Sequence, residues 1–325
     1  MSKGTAPAPL FSHAALIGMG LIGSSLARAM RRHGLAGHIA GCVRSEASHA
    51  KIQELGLVDS AHRDPADAAD GADLVVLCTP VGTYEEIART ISPRLGAGAI
   101  VTEVGSVKQA VIRDVGPFIP EGVHFIPGHP IAGTEHSGPE AGFAELFEGR
   151  WWILTPPPGA DAGAVDKVAE LCRRCGAMVE TMDAHHHDQV LAITSHLPHL
   201  IAYTIVATAD DVEQSVRREV VKFSASGFRD FTRIAASDPI MWRDVFLNNR
   251  EAVLETLQRF NEDLTALQRA IRWGEGDVLE TLFRRTRGLR RQVIDAHQAG
   301  TFDPREPEQS GVTPPAPETT DRPER

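Results

Sequence analysis

The chain has 325 residues, 42% hydrophobic and 23% charged, a globular composition with enough apolar mass for two domains or one large one. Its 43 acidic residues against 33 Lys and Arg give a formal net charge of −10, which argues against a phosphate-binding surface and hence a nucleic-acid partner. The N-terminus holds no apolar core of signal-peptide length, no charge-free run of membrane-spanning length is expected, and four cysteines suit a reducing compartment, so the chain is read as cytoplasmic with no membrane partner.

In chain order, short apolar runs alternate with helical patterns through the first half. Ala14–Ile17, Ile39–Cys42, Leu74–Cys78, Ala99–Thr102, Val123–Ile126, Trp152–Thr155 and Met178–Thr181 read as strands. Leu21–Arg32, Ser48–Leu55, Tyr84–Ile91, Val107–Val115 and Ala162–Cys175 read as helices between them. Such alternation implies a parallel sheet covered on both faces. Cys172 and Cys175 form a C-x-x-C, read as two half-buried thiols on one helix face rather than a redox or zinc motif.

After the first strand comes Gly18-Met19-Gly20-Leu21-Ile22-Gly23, leading straight into a helix. This is the dinucleotide fingerprint in its required strand–turn–helix context, and it calls for a Rossmann-type domain binding NAD+ or NADP+. An acid that would hold the adenosine 2′-hydroxyl of NAD is expected about 20 residues on. Val43 stands there instead, followed by Arg44 and Ser45, which suit a 2′-phosphate or plain solvent equally, and cofactor preference stays open.

Two further loops follow strand ends: Glu103–Lys108 and Pro127–Glu135. Ligands bind at the carboxyl ends of strands in such sheets, which puts both loops at the reacting end and marks His129, in its Gly- and Pro-rich setting, as functional. From Asp183 to His297 the pattern is helical without strand signal. Ser195 and His199 share a helix face at i,i+4 spacing. Phe246, Asn249, Val253, Leu257, Phe260, Leu264, Leu267 and Ile271 form one stripe, read as a single long helix started by Asp238-Pro239. Gly274 and Gly276 interrupt it before a last helix near Val278–Ala299, with Gly300 as its stop. His185, His186 and His187 are consecutive and point in different directions, so no metal site is assigned. The expected organisation is a Rossmann domain over 1–182, an all-α substrate and dimerisation domain over 183–300, and a disordered Pro- and Glu-rich tail over 301–325.

The motifs GMGLIG, EVGSVK, GHPIAGTEHSGP, HDQVLAITSHLPH and GFRDFTRIAASDPIMWRD, spread over residues 12–300, together resemble the prephenate dehydrogenase family, which includes arogenate and cyclohexadienyl dehydrogenases. The resemblance implies oxidative decarboxylation of prephenate or arogenate on the way to tyrosine, by a homodimer joined through its helical half. It implies that His129 accepts the proton of the ring 4-hydroxyl and that Ser106 assists there. Arg233 would bind a substrate carboxylate, while Ser195, His199, His187 and Trp242 line the pocket. No fused regulatory or mutase domain is expected. The chemistry suits these residue types: hydride leaves a cyclohexadienol as its hydroxyl proton departs, which asks for a base titrating near neutrality, and a small polyanion asks for a fixed guanidinium. Two other readings are a β-hydroxyacid or 6-phosphogluconate-type dehydrogenase, which relies on a Lys in the helical domain, and a non-catalytic dinucleotide-binding protein. Lys222 is the only internal Lys of that helical half.

Overall fold

The computed structural model describes residues 8–211, 222 and 225–295. Eight strands make one sheet: β1 (Phe11–Ile17), β2 (Ala36–Cys42), β3 (Ser60–His62), β4 (Leu74–Leu77), β5 (Ile100–Glu103), β6 (His124–Pro130), β7 (Trp151–Leu154) and β8 (Met178–Thr181). Their order is β3-β2-β1-β4-β5-β6-β7-β8. The strand order reverses direction across the sheet between β1 and β4, the crevice where doubly wound folds bind nucleotides.

Helices α1 (Leu21–Arg32), α2 (Glu46–Glu54), α3 (Pro65–Ala69), α4 (Tyr84–Ile91), α5 (Gln109–Val115) and α6 (Ala162–Arg174) connect the strands. Two buried clusters result, one centred on Leu16, Leu26, Met30 and Trp152, the other on Ile17, Val75, Tyr84 and Val111. Adjacent residues of β1, Leu16 and Ile17, fall in different clusters because successive side chains alternate faces. The central strand β4 reads Leu-Val-Val-Leu with all four residues buried, the pattern of a strand covered on both sides.

The sheet departs from the expected all-parallel form at one place. β7 runs antiparallel to β6, pairing His129 with Ile153. The segment 131–150 between them holds only short 3-10 turns, so no crossover helix returns the chain to the opposite edge. Strand β3 is an addition to the expected set, since Ser60-Ala61-His62 has neither an apolar run nor alternation to mark it. Cys172 and Cys175 are fully rather than half buried, and burial pushes the Cys175 thiol up to about 12, which makes it inert.

Residues up to 260 pack as one unit and those from 261 as another. The first unit continues through α7 (Ala184–Leu191), a π-helical turn at Ala192–His196, α8 (Leu197–Asp210), α9 (Ser226–Thr232) and α10 (Pro239–Asn248). Asp238 starts α10 as expected, its carboxylate accepting from the backbone N–H of Ile240 at 2.8 Å and Met241 at 2.9 Å. The long stripe is two helices, α10 and α11 (Arg250–Trp273), broken at Asn249. Asn249 is the one polar member of the stripe, and its buried amide leaves the helix pattern to donate to the Asp188 carbonyl at 2.8 Å. In the second unit, Gly274 at φ +67° ends α11 before α12 (Gly276–Asp295). The expected stop at Gly300 and the tail 301–325 lie outside the described residues.

The charge expectation also fails for one run. Residues 189–209 contain no Asp, Glu, Lys or Arg. The helical stretch Ala184–Asp210 is long and apolar enough to cross a membrane by length and composition, its most apolar 18 residues having mean hydropathy 1.5. Its inner face is polar in a specific way: His187, Asp188 and His196 are buried and hydrogen-bonded within the protein.

Candidate active site

The glycine turn after β1 has room for a dinucleotide. Gly18 sits at φ +100°, and a Cβ there would lie 2.7 Å from the Thr79 side chain. A Cβ on Gly23 would meet the Gly18 carbonyl at 2.0 Å, so helix and turn touch only because Gly23 lacks one. Gly20 faces open space, with nothing within 4 Å of its Cβ position. The N-terminus of α1 has no side-chain cap and no acid in its first turn, leaving backbone N–H groups to an anion. Met19 is buried beneath the turn, while Leu21 and Ile22 are half-buried at the start of the helix. These features fit a pyrophosphate.

At the end of β2, Val43 is buried and Arg44 and Ser45 are exposed. The Ser45 hydroxyl caps α2, accepting from the Ser48 N–H at 3.0 Å. Arg63, which follows the short strand β3, reaches back and donates to the Arg44 carbonyl at 3.2 and 3.1 Å. It also pairs with Glu46 at 3.0 Å. The end of β2, where the ribose is expected, therefore carries two guanidinium groups, and the second, from Arg63, arrives by way of a strand that has no sequence signal.

The reacting end is built from the carboxyl termini of β5 and β6 and from α7. Glu103 and Lys108 form an ion pair with both side chains fully buried. Glu103 accepts from the N–H of Gly105 at 2.6 Å and of Gly128 at 3.0 Å, and Lys108 donates to the Gly128 carbonyl at 2.6 Å. The pair thus clamps the loop carrying Ser106 to the strand end carrying His129. Burial pushes Glu103 up and Lys108 down, each opposed by the other's charge.

His129 is 7% exposed. Its Nδ1 lies 2.9 Å from Nε2 of His187, whose own Nδ1 lies 2.8 Å from Asp188 Oδ1. Asp188 also accepts from the N–H groups of Lys108 at 2.8 Å and Gln109 at 2.9 Å, at the start of α5. Burial, then the charges of His187, Lys108 and His196, hold His129 well below the ordinary histidine range. The expected titration near neutrality is thus displaced downward by burial: the ring is neutral across neutral pH, with a lone pair free to take a proton. Of the three consecutive histidines, His187 is buried while His185 and His186 are exposed.

A second group gathers on α8 and α10. Ser195 and His199 share a face as expected, with His199 Nδ1 2.9 Å from the Ser195 carbonyl. The His199 ring stacks on the buried Trp242 at 3.6 Å between centroids. Arg233, exposed at the end of α9, pairs at 2.8 Å with Glu135 of the loop that follows His129. Its charge adds to burial in lowering His199. His196, unassigned from the sequence, is fully buried 3.0 Å from Asn249 and touches the Ser106 backbone. The loop after His129 also packs onto the cofactor helix, where the Phe143 N–H donates to Ser25 Oγ at 3.1 Å. Glu103, Lys108, Asp188, His196 and Asn249 are the members that sequence reasoning missed. All but Asn249 lie inside the family motifs, and Asn249 stands out as the polar break in an apolar stripe.

Residues 26–181 match the nucleotide-binding domain of prephenate dehydrogenase, and residues 183–285 match its dimerization domain. This chain belongs to the prephenate dehydrogenase family. Among the family's members, the cyclohexadienyl dehydrogenase of Zymomonas mobilis is 40% identical over 288 residues, 89% of this chain and 98% of that one. The crystal structure of prephenate dehydrogenase from A. aeolicus in complex with hydroxyphenyl propionate and NAD+ matches at 35% identity and a TM-score of 0.80, covering 87% of this chain and 98% of that chain. Synechocystis arogenate dehydrogenase matches at 28% identity and a TM-score of 0.72, covering 86% and 99%. A family member with this dinucleotide turn is an NAD(P)-dependent oxidoreductase.

Proposed function

We propose that the protein oxidatively decarboxylates prephenate, arogenate or both in tyrosine biosynthesis. The observation that carries this reading is a neutral, buried imidazole, His129, at the carboxyl edge of the same sheet whose first turn cradles the nucleotide. Gly18, Met19, Gly20, Leu21, Ile22 and Gly23 hold the pyrophosphate, and Arg44 and Ser45, with Arg63 beside them, meet the adenosine ribose. Bound there, NAD+ or NADP+ supplies the hydride acceptor. His129 takes the proton of the ring 4-hydroxyl, with Ser106 assisting. Arg233 anchors a carboxylate, and its surface pair with Glu135 is worth under about 1 kcal/mol, so the guanidinium remains available. Ser195, His199 and Trp242 form a wall against the ring. Loss of carbon dioxide and aromatisation then make turnover effectively irreversible.

In this reading residues 1–182 bind the nucleotide and 183–300 supply the substrate wall and a homodimer contact, in a cytoplasmic enzyme. The test is a panel of prephenate, arogenate and a β-hydroxyacid, each with NAD+ and NADP+, followed by reduced-nicotinamide absorbance. Turnover of prephenate or arogenate is expected. Turnover of the β-hydroxyacid alone would overturn the reading.

A further inference from the structure

Both ring nitrogens of His187 are committed, Nδ1 to Asp188 and Nε2 to His129, and its side chain is fully buried. No donor or acceptor remains for a substrate. The direction of the hydrogen bonds is set from one end. Asp188 accepts two backbone N–H groups at the start of α5, from Lys108 and Gln109, and these favour its carboxylate form. A carboxylate only accepts, so His187 Nδ1 carries the proton. With that proton at Nδ1, a neutral His187 has its lone pair at Nε2 and must accept there. His129 Nδ1 must then be the donor, which leaves the lone pair of His129 on Nε2.

From this fixed direction we propose that Asp188 and His187 are positioning residues that hold His129 in its Nδ1–H tautomer, making Nε2 the proton acceptor. The proposal rests on the reading of His129 as the base. It reassigns His187 from pocket wall to support. The alternative arrangement needs a doubly protonated His187 that donates to His129 Nδ1, which would place the His129 proton on Nε2 and block it. Burial and the neighbouring Lys108 charge both oppose that imidazolium. Of the charged or titratable groups around the pair, only Asp188 favours it; Lys108 and His196 do not.

The proton count is simple. One proton leaves the substrate hydroxyl and arrives at His129 Nε2. His187 and Asp188 keep theirs, and nothing travels along the chain. What changes is the His129–His187 hydrogen bond, which becomes charge-assisted once His129 is an imidazolium and therefore strengthens as the reaction proceeds. An interaction that tightens only then raises kcat and leaves substrate binding alone.

The test joins ring-nitrogen NMR of 15N-histidine-labelled full-length protein with kinetics. The His129 signals are those absent from His129→Asn. In the unaltered protein they should show the Nδ1–H tautomer near pH 7.5. In His187→Leu the partner is gone, and His129 should revert toward the Nε2–H form that free imidazole favours. Turnover should fall by up to about 10²-fold in kcat, the scale of a misplaced catalytic group, with KM little changed. In His187→Gln the amide oxygen can still accept from Nδ1, so tautomer and most of kcat should return. An Nε2–H tautomer in the unaltered protein would overturn the relay. So would equal loss of kcat in the Leu and Gln variants with the tautomer unmoved, which marks a packing role. With the signals assigned, the tautomer of the unaltered protein needs neither His187 variant to fold nor any substrate to turn over, so a wrong substrate and a wrong relay give separate results.

Discussion

Two side chains with different surroundings should fail in different ways. His129 is buried and neutral, and its work lies in the transition state, so His129→Asn should lower kcat by roughly 10²–10⁴-fold. Its lowered pKa also fixes where activity falls in acid. The active form is the unprotonated ring, so kcat/KM should hold at pH 6.5 and decline only at lower pH; a decline already centred at 6.5 or above would assign the limb to another group. Arg233 is exposed and works by charge, and losing a charge-assisted bond worth about 1.5–3 kcal/mol should raise KM by on the order of 10–100-fold. Steady-state kinetics of both variants from pH 5 to 9 place them on different axes. At the ribose end, Val43 in place of an acid and Arg63 beside Arg44 predict measurable use of NADP+, reduced in Arg44→Ala and Arg63→Ala; initial rates with both cofactors decide it.

Between secondary-structure elements, support for the site comes from polar contacts far apart in sequence. Helix α1 was legible to the residue because its glycine turn and apolar spacing are local, and so was the start of α10 at Asp238-Pro239. Asp188 was not legible as the group accepting at the start of α5, because helix and acceptor lie 80 residues apart. The Glu103–Lys108 pair was hidden although both ends of its motif were in view, since spacing alone does not say that two charges turn inward. Removing one partner of such a pair leaves a buried charge uncompensated, so Lys108→Met should cost about 3–5 kcal/mol in urea unfolding. Glu103→Gln combined with it should recover part of that loss. The buried histidines add a pH term of the same sign. His196 falls from 6.5 to about 4 on folding, so the unfolded chain binds its proton first as pH drops. Stability is full above about 6.5 and declines below it, by on the order of 3 kcal/mol near pH 4. An unfolding midpoint unchanged between pH 7 and 5 would contradict a buried neutral cluster.

For the whole molecule, the match to a dimerization domain and the apolar surface of the helical half point the same way. Ile193 is 60% exposed and Leu247 64%, on the elements that also carry the buried His196 and Trp242. Light scattering at micromolar concentration should therefore give a particle of twice the 35.1 kDa chain. A monomer there would refute the homodimer.

The charge-free run at 189–209 has a consequence for the life of a single chain. On a single chain this segment is a largely exposed apolar stretch, anchored at its start by the buried His187, Asp188 and His196. If the proposed homodimer covers this stretch, dilution that separates the subunits should release a sticky monomer. It should stain with a hydrophobic dye and lose activity with time, and the loss should slow as protein concentration rises, because pairing competes with aggregation for the same surface.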